Sequence, residues 1–336
     1  MIVSSGQFST PVLAPFRIAP RFVGRVWGFE DLRPWYDRIA EGGEPIGEVW
    51  LTGDECLAAS GPFAGETLGE LFKRLPEALL GAGAGRVAQG AESPLLIKVL
   101  FAREKLSVQV HPDDRMAQKY GQPRGKTECW YVLAAEPGAE VAAGLKPGVT
   151  LEKVREGMLD GSLEESMNLL PVAAGEMILV DAGTVHAIWP GSILLETQQN
   201  CDLTYRMYDY GRGRELHVEK GLEAVKLELP GAVVKARVLG DRTILVDAKY
   251  FRVERLPVNG SRGSGSLAGP GESGPGLAYL FAAEGAGRIS GEAFAALELA
   301  LHGIVAVPAC SPQFVVEDLG GLNLVRITPN WPEKSV

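Results

Sequence analysis

The amino-acid sequence predicts a mainly β fold, an antiparallel barrel or sandwich with short helical insertions, followed by a smaller β domain. Short apolar runs recur along the 336 residues, and turns containing Gly and Pro separate them. Long amphipathic helices do not alternate with these runs, which argues against a doubly wound parallel sheet. The chain also exceeds the size at which one hydrophobic core usually stops growing, so we expect a large domain with a smaller one appended.

The predicted strands fall into three groups along the chain. Their sequences are, in order, LLIKVLF, KLSVQVH, CWYVLAA and AEVAAGL; EMILVDA, TVHAIWP, SILLETQQ and DLTYRMYDY; and KARVLGD, TILVDAKYFRVERL, LAYLFAAE, GIVAVPA, QFVVED and LNLVRIT. A Gly-, Ser- and Pro-rich stretch at residues 259–276 interrupts the third group and is expected to be a flexible loop. It satisfies G-x-G-x-x-G between Gly269 and Gly274, but it lacks the strand and helix that a dinucleotide-binding motif requires.

Helices are expected only between these groups of strands. Thr67 followed by Glu70 forms a capping-box pattern, Thr150 is a candidate N-cap, and Ser162 with Glu165 forms a second capping-box pattern. The expected helices cover residues 68–75, 151–158, 163–169 and 216–226.

Composition and charge restrict the class of function. The formal net charge of −9 argues against a broad nucleic-acid surface, because binding to phosphate backbones needs clustered Lys and Arg. The first residues lack the pattern of a secretory signal, and no uninterrupted apolar run is long enough to predict a membrane helix. The four cysteines are scattered, which is typical of reduced thiols. We therefore expect a cytoplasmic monomer or homodimer that binds neither nucleic acid nor membrane.

Four side chains, Gln109, His111, Glu128 and His186, form a candidate metal site. Only four histidines occur in the sequence, and these two lie in strand-like segments with polar neighbours. Alternation along SVQVH places Gln109 and His111 on one face of a strand. An amide oxygen, a carboxylate and two imidazoles suit a divalent transition metal. The alternative interpretation is that Gln109 and His111 are solvated surface residues.

Two motifs carry a resemblance to a known family. The segment from Gly175 to His186, G-x5-D-x-G-x2-H, resembles the second cupin motif, and Gln109-x-His111 with Glu128 is similar to the first. This Gln, His, Glu and His set is the one that type I mannose-6-phosphate isomerases use for zinc. Residues 20–225 resemble the short bacterial members of that family in the segments IGEVWLTGDE, GETLGEL, PLLIKVLFA, LSVQVHPDD, GKTECWYVL and DLTYRMYDYGR.

The resemblance implies a cupin architecture in two parts. Residues 1–232 would form the catalytic cupin, or jelly-roll, β-barrel, with helical insertions at about 65–90 and 150–170. Residues 233–330 would form a smaller, degenerate jelly-roll β domain without metal.

The resemblance also implies an activity. The protein would be a metal-dependent aldose–ketose isomerase that interconverts mannose-6-phosphate and fructose-6-phosphate through an enediol, with one Zn²⁺ per chain. Lys126 and Arg206 match the family's active-site lysine and arginine, and Asp202 shares a strand face with Arg206. The group that removes the proton is open among Lys126, Asp202 and a zinc-bound water. Lys98, a charge in an apolar strand, is expected to face the substrate pocket together with Ser107 and Arg206.

Several alternatives remain at this point. Lys126 as an exposed turn residue, and Arg206 as the ion-pair partner of Asp209, are the simpler structural interpretations. A non-catalytic sugar-phosphate-binding cupin and an iron-dependent cupin oxygenase are the rival functions, and the presence of both Lys126 and Arg206 argues against them. His217 and His302 are expected to lie outside the site.

Overall fold

A computed structural model of the protein describes residues 13–81, 93–269 and 276–330, and its mainly antiparallel β architecture confirms the predicted fold class. The first strands are β1 (Phe16–Arg17), β2 (Arg21–Phe29), β3 (Ile46–Trp50), β4 (Leu95–Phe101), β5 (Val108–Val110), β6 (Glu128–Ala135), β7 (Glu140–Leu145), β8 (Met167–Pro171), β9 (Met177–Val180), β10 (His186–Ile188), β11 (Ser192–Gln199), β12 (Tyr205–Tyr208) and β13 (Ala232–Val233). The remaining strands are β14 (Arg237–Leu239), β15 (Arg242–Asp247), β16 (Phe251–Pro257), β17 (Ser261–Gly263), β18 (Ala278–Glu284), β19 (Gly287–Gly291), β20 (Phe294–Leu299), β21 (Ile304–Val307), β22 (Val315–Asp318) and β23 (Asn323–Pro329). The helices are α1 (Leu68–Arg74), α2 (Pro76–Leu80), α3 (Asp114–Lys119), α4 (Leu151–Asp160) and α5 (Val218–Ala224).

Two sheets built from strands between residues 21 and 233 form the jelly roll that positions the site. One has the strand order β12-β5-β10-β7-β8 and the other β13-β9-β6-β11-β4-β3-β2, with antiparallel pairing throughout. Their inner faces meet in an apolar cluster in which Trp130 and Val180 of one sheet join Val141 and Ile188 of the other. Burial of these side chains on both sheets holds the two layers together.

The helices begin where their capping residues predict, with one exception. Thr67 and Glu70 form both hydrogen bonds of the capping box at α1, and Thr150 caps α4. The helix expected at residues 163–169 is wrong, because residues 163–166 form a 3₁₀ turn and β8 begins at Met167. The Ser162 hydroxyl donates to Asp160 instead of capping a helix, and the following residues pair with β7. Sheet pairing therefore prevails over the local capping pattern.

The strands from β14 onward, together with β1, form two further sheets. Their strand orders are β1-β21-β18-β23-β16-β15-β14 and β17-β22-β19-β20, so the N-terminal strand β1 completes the sheet of the C-terminal strands. One apolar cluster joins this sheet to the jelly roll, with Ile97 and Phe101 packing in the same cluster as Tyr279 and Phe281. The division at residue 232 stays a prediction.

Two segments of the second half differ from the simplest interpretation of the sequence. The expectation of a flexible loop at 259–276 is wrong at its start, because β17 pairs with β22 and a 3₁₀ turn follows. The G-x-G-x-x-G letters fall almost wholly on residues 270–275, outside the described part, as do residues 82–92 of the first insertion. His302 is buried and stacks on Trp35, with 4.3 Å between the ring centroids, so it links the two halves.

Among the described helices, none is both long enough and apolar enough to cross a membrane.

Candidate active site

Strand register brings three of the predicted site residues into one row. In the five-stranded sheet Arg206 is the pairing partner of Gln109, and Gln109 is the pairing partner of His186. Residues in one row of a sheet project to the same face. Before His186 the chain turns at Gly183, whose φ of +99° favours glycine. A Cβ at this position would lie only 2.7 Å from the side chain of Lys226, so a larger residue would clash there.

Three buried side chains form a compact ligand cluster between the sheets. One donor atom from each of His111, Glu128 and His186 lies within 4.8 Å of the others. His111 Nε2 is 3.3 Å from Glu128 Oε2, and His186 Nε2 is 3.4 Å from Glu128 Oε1. The Gln109 amide nitrogen lies 3.1 Å from His186 Nε2, so a half-turn of the amide would present its oxygen at the same place.

The two imidazoles are oriented as metal ligands. His111 Nδ1 lies 3.1 Å from the Leu203 carbonyl oxygen, and His186 Nδ1 lies 2.9 Å from the Thr184 carbonyl oxygen. Donation from Nδ1 to a carbonyl leaves the Nε2 lone pair facing Glu128. Burial lowers the pKa of His111 to about 3 and also lowers the pKa of His186, so both rings are neutral near pH 7.

The environment of Glu128 fits a bound cation. Its Oε2 is buried and forms no hydrogen bond of normal geometry with the described residues, although Lys126 Nζ lies 3.1 Å away at ion-pair distance. Lys126 Nζ is also 3.1 Å from His111 Nε2. The lone pairs of the Glu128 carboxylate and the His111 imidazole thus point toward one position, where the Lys126 ammonium group lies. The donor set, two neutral imidazoles with a carboxylate and an amide, suits a divalent transition metal.

A second group of buried charges lies beside this cluster, on the seven-stranded sheet. Lys98 Nζ is 2.9 Å from Glu196 Oε2 and 3.8 Å from Glu48 Oε2, and Arg25 donates to both oxygens of Glu48. Trp130 Nε1 donates to Glu128 Oε1 and to Glu196 Oε1, both at 3.1 Å. The indole therefore connects the ligand cluster to the ion pairs.

The surroundings of these charged groups shift their pKa values in different directions. Burial, and then the negative charge of Glu128, raise the pKa of Glu196. Burial alone would raise the pKa of Glu48, but the charges of Lys98 and Arg25 lower it to about 2. Burial opposes the charge of Lys126, but Glu128 and Glu196 outweigh it and raise the pKa of this lysine. Lys126 is thus held as an ammonium group by its carboxylate neighbours.

A cavity of about 500 Å³ opens next to the ligand cluster, a volume that suits a small ligand. The predicted residues that line it are Lys98, Ser107, Gln109, Lys126, Asp202 and Arg206. His111, Glu128 and His186 do not line it, but they contact Lys126 and Gln109, which do. Lys126 is not the exposed turn residue of the alternative interpretation, because its side chain is almost wholly buried.

Five charged lining residues escaped the sequence reasoning or were not required by it, namely Arg25, Glu44, Glu48, Glu196 and Arg214. Glu196 lies in SILLETQQ, where nothing local marks it, and only its cross-strand pairing with Lys98 reveals a role. Lys98 could be detected because apolar residues flank it on both sides in LLIKVLF, whereas polar residues follow Glu196, so the same signal is absent there.

Arg206 faces the cavity without the partner that the alternative interpretation gave it. Its Nη1 donates to the Glu215 carbonyl oxygen at 3.0 Å, whereas Asp209 pairs with Arg214 and Arg212. Its Nε is buried and forms no hydrogen bond with the described residues. Burial, and then the positive charge of Arg214, lower the pKa of Arg206.

Comparison with known proteins gives a consistent result. Residues 26–143 match the family model described as phosphomannose isomerase type I, catalytic domain. The mannose-6-phosphate isomerase of Streptococcus mutans is 35% identical over 252 residues, which are 70% of this chain and 77% of that protein. A probable mannose-6-phosphate isomerase of Bacillus subtilis is 34% identical over 261 residues, 73% of this chain and 80% of that protein.

A solved structure extends the likeness to nearly the whole chain. The crystal structure of mannose 6-phosphate isomerase from Bacillus subtilis has a TM-score of 0.80 and 28% identity, and the match covers 94% of this chain and 99% of that one. The family-model match includes Gln109, His111 and Glu128 but ends before His186 and Arg206. The row of residues across the five-stranded sheet is therefore the observation that adds these two to the site.

Proposed function

Because the chain belongs to the type I phosphomannose isomerase family, we propose that it is a metal-dependent isomerase that interconverts mannose-6-phosphate and fructose-6-phosphate. The observation that carries this proposal is the contact of Lys126 with the buried cluster of His111, Glu128 and His186. In that arrangement a proton donor that lines the cavity contacts the proposed metal site. An aldose–ketose isomerase needs both at the two oxygens of its substrate.

We propose zinc as the metal, one ion per chain. His111 and His186 would supply Nε2, Glu128 a carboxylate oxygen, and Gln109 its amide oxygen after a half-turn of the amide. Two neutral imidazoles favour zinc over magnesium or calcium, which prefer oxygen ligands. When bound, zinc supplies Lewis-acid stabilisation of negative charge on the sugar oxygens.

The residues of the chain would divide the proton transfers between them. Asp202 lines the cavity and is exposed to solvent, and in this proposal its carboxylate would accept the C2 proton of the aldose and return it to C1. The Lys126 ammonium group donates a proton to the C1 oxygen as C2 loses its proton, which gives a neutral enediol. Lys126 then takes the proton of the C2 hydroxyl as C1 gains its proton, so the lysine is restored and the negative charge that develops on the two oxygens is offset.

Binding of the substrate would use the other polar lining residues. Lys98 is held by Glu196 and Glu48, so its ammonium group has a fixed position from which it can donate to sugar hydroxyls. Ser107, also at the cavity wall, offers a hydroxyl that can both donate and accept. Arg206 would bind the phosphate.

The decisive experiment measures fructose-6-phosphate formation from mannose-6-phosphate by the purified protein, together with its metal content. We expect turnover that is lost on chelation and restored by zinc. Turnover that survives complete metal removal would contradict the metal-dependent mechanism. Substrate binding without turnover in the zinc-loaded protein would indicate a sugar-phosphate-binding cupin, and oxygen consumption with bound iron would indicate an oxygenase.

A further inference from the structure

The segment after β12 turns sharply and brings a second arginine to the cavity. Tyr210, Gly211 and Gly213 have φ values of 56°, 74° and 75°, in the left-handed region where glycine is favoured. Because of these turns Arg212 and Arg214 point to different surroundings. Arg214 lines the cavity, and Arg212 does not.

Asp209 holds Arg214 at the cavity wall. Arg214 Nε donates to Asp209 Oδ2 at 2.8 Å, and Arg214 Nη2 donates to the other carboxylate oxygen. Asp209 is almost wholly buried, whereas about a third of the Arg214 side chain is exposed. Arg214 Nη1 forms no hydrogen bond with the described residues, so one edge of the guanidinium is anchored and the other faces the cavity.

Arg212 occupies a different environment although it follows the same turn. Its Nη2 donates to the Lys105 carbonyl oxygen at 2.8 Å and to Glu104 at 3.2 Å, and its guanidinium lies 5.4 Å from the Tyr210 ring centroid. These contacts direct its charge away from the cavity. Arg212 is therefore a matched comparison for Arg214, since both lie on one segment and near one carboxylate.

Arg206 and Arg214 both line the cavity. The charge of Arg214 contributes to the lowered pKa of Arg206, so the two guanidiniums repel each other. Among the described residues no carboxylate forms an ion pair with Arg206, and its Nε is buried without a hydrogen bond. A ligand with two negative charges placed between the two arginines would relieve this repulsion and satisfy the buried donor.

We propose that Arg214, positioned by Asp209, binds the phosphate group of the substrate together with Arg206. This inference rests on the proposed function, because it assigns the phosphate end of the same cavity. The sugar end then lies toward Lys126 and Gln109. Arg214 acts in binding and in selection of phosphorylated sugars, not in proton transfer.

Substitution of Arg214 tests the proposal through the separation of KM from kcat. For Arg214→Gln we expect KM for mannose-6-phosphate to rise about 10- to 100-fold, as for loss of a charge-assisted hydrogen bond, while kcat changes much less. For Arg214→Lys, which keeps the charge but not the fork, we expect a smaller rise. Arg212→Gln, the matched control, should leave KM within about 3-fold.

A binding measurement that does not depend on turnover separates this proposal from the proposed function. Inorganic phosphate is titrated by calorimetry into the wild type, Arg214→Gln, Arg214→Lys and Arg212→Gln, with thermal melting as the check on folding. Phosphate affinity that falls in the Arg214 variants but not in Arg212→Gln supports the inference even if no isomerase activity is found. An active wild type whose KM and phosphate affinity are unchanged by both Arg214 substitutions would overturn it.

Discussion

The indole of Trp130 is predicted to control the metal affinity of the site. Its Nε1 is the hydrogen-bond donor shared by Glu128 Oε1 and Glu196 Oε1, and the side chain is completely buried. Trp130→Phe removes this donor but keeps an aromatic ring near His186, whose ring centroid is 5.6 Å from that of the indole. The substitution thus changes the orientation of a ligand without removing any ligand.

The expected losses of metal affinity and of stability in Trp130→Phe follow from these contacts. Loss of a partner that orients a ligating carboxylate typically weakens metal binding about 10- to 100-fold, or about 1.4 to 2.8 kcal/mol. The free energy of unfolding of the metal-free protein should also fall by about 2 to 4 kcal/mol. That estimate combines hydrogen bonds to two buried carboxylates with the small cavity left by the shorter ring.

Competition with a chromophoric zinc chelator at pH 7 measures the first effect, and urea unfolding in the presence of EDTA measures the second. Trp189→Phe is the matched control, because it removes the same N–H from a half-buried indole that has no hydrogen-bond partner among the described residues. Equal zinc affinity in Trp130→Phe and the wild type would refute the orienting role of the indole.

Three further predictions concern the ligands, the sheet that contains β16, and pH. His111→Ala should lose metal, whereas Lys126→Met should keep metal and lose turnover; full metal occupancy in the His111 variant would show that the ligand assignment is wrong. Glu254→Gln should lower the free energy of unfolding by about 3 to 5 kcal/mol, because three buried arginines contact this carboxylate. Glu298→Gln is the control: this carboxylate is exposed, so its substitution should leave the urea midpoint unchanged. In the metal-free protein, the unfolded chain protonates His111 below pH 6.5, whereas the folded protein does so only near pH 3. The contribution of His111 to stability should therefore fall by about 1.4 kcal/mol per pH unit as pH drops through that window, and His186, whose pKa is also lowered, should add to the fall. Urea unfolding with EDTA from pH 7 to pH 5 checks this trend, and a stability that stays level or rises would contradict it.

The fold class and the elements with strong local signals could be predicted from the sequence. Period-two alternation in SVQVH places Gln109 on the face that its pairing with His186 requires. The capping box of Thr67 and Glu70 is formed because it is satisfied within four residues and needs no distant partner. Ser162 has the same pattern, yet the strand that follows pairs with β7, so a long-range contact decides the structure there.

The same distinction explains which site residues the sequence did not reveal. Glu196 is placed by its pairing with Lys98, a residue almost a hundred positions earlier, and by the indole of Trp130. Arg214 reaches the cavity only because Tyr210 and its neighbouring glycines adopt left-handed conformations, which no periodicity encodes. Register between distant strands and the path of an irregular loop are tertiary properties, so a pattern of residue types along the chain cannot specify them.

The charged side chains of the site differ in whether they have an ion-pair partner, and this difference affects which substrate the site would select. Arg25, Glu48, Lys98 and Glu196 form a chain of alternating sign in which every group contacts one of opposite charge. None of the buried members can turn toward a ligand without leaving its partner uncompensated, which would cost several kcal/mol, on the order of 3 to 5. These side chains therefore present fixed donors and acceptors to the cavity. Arg206 has no such carboxylate partner among the described residues, so its charge is available to an anion. A neutral sugar would satisfy the fixed groups but not this arginine, and discrimination against unphosphorylated mannose should accordingly reside at the Arg206 end of the cavity.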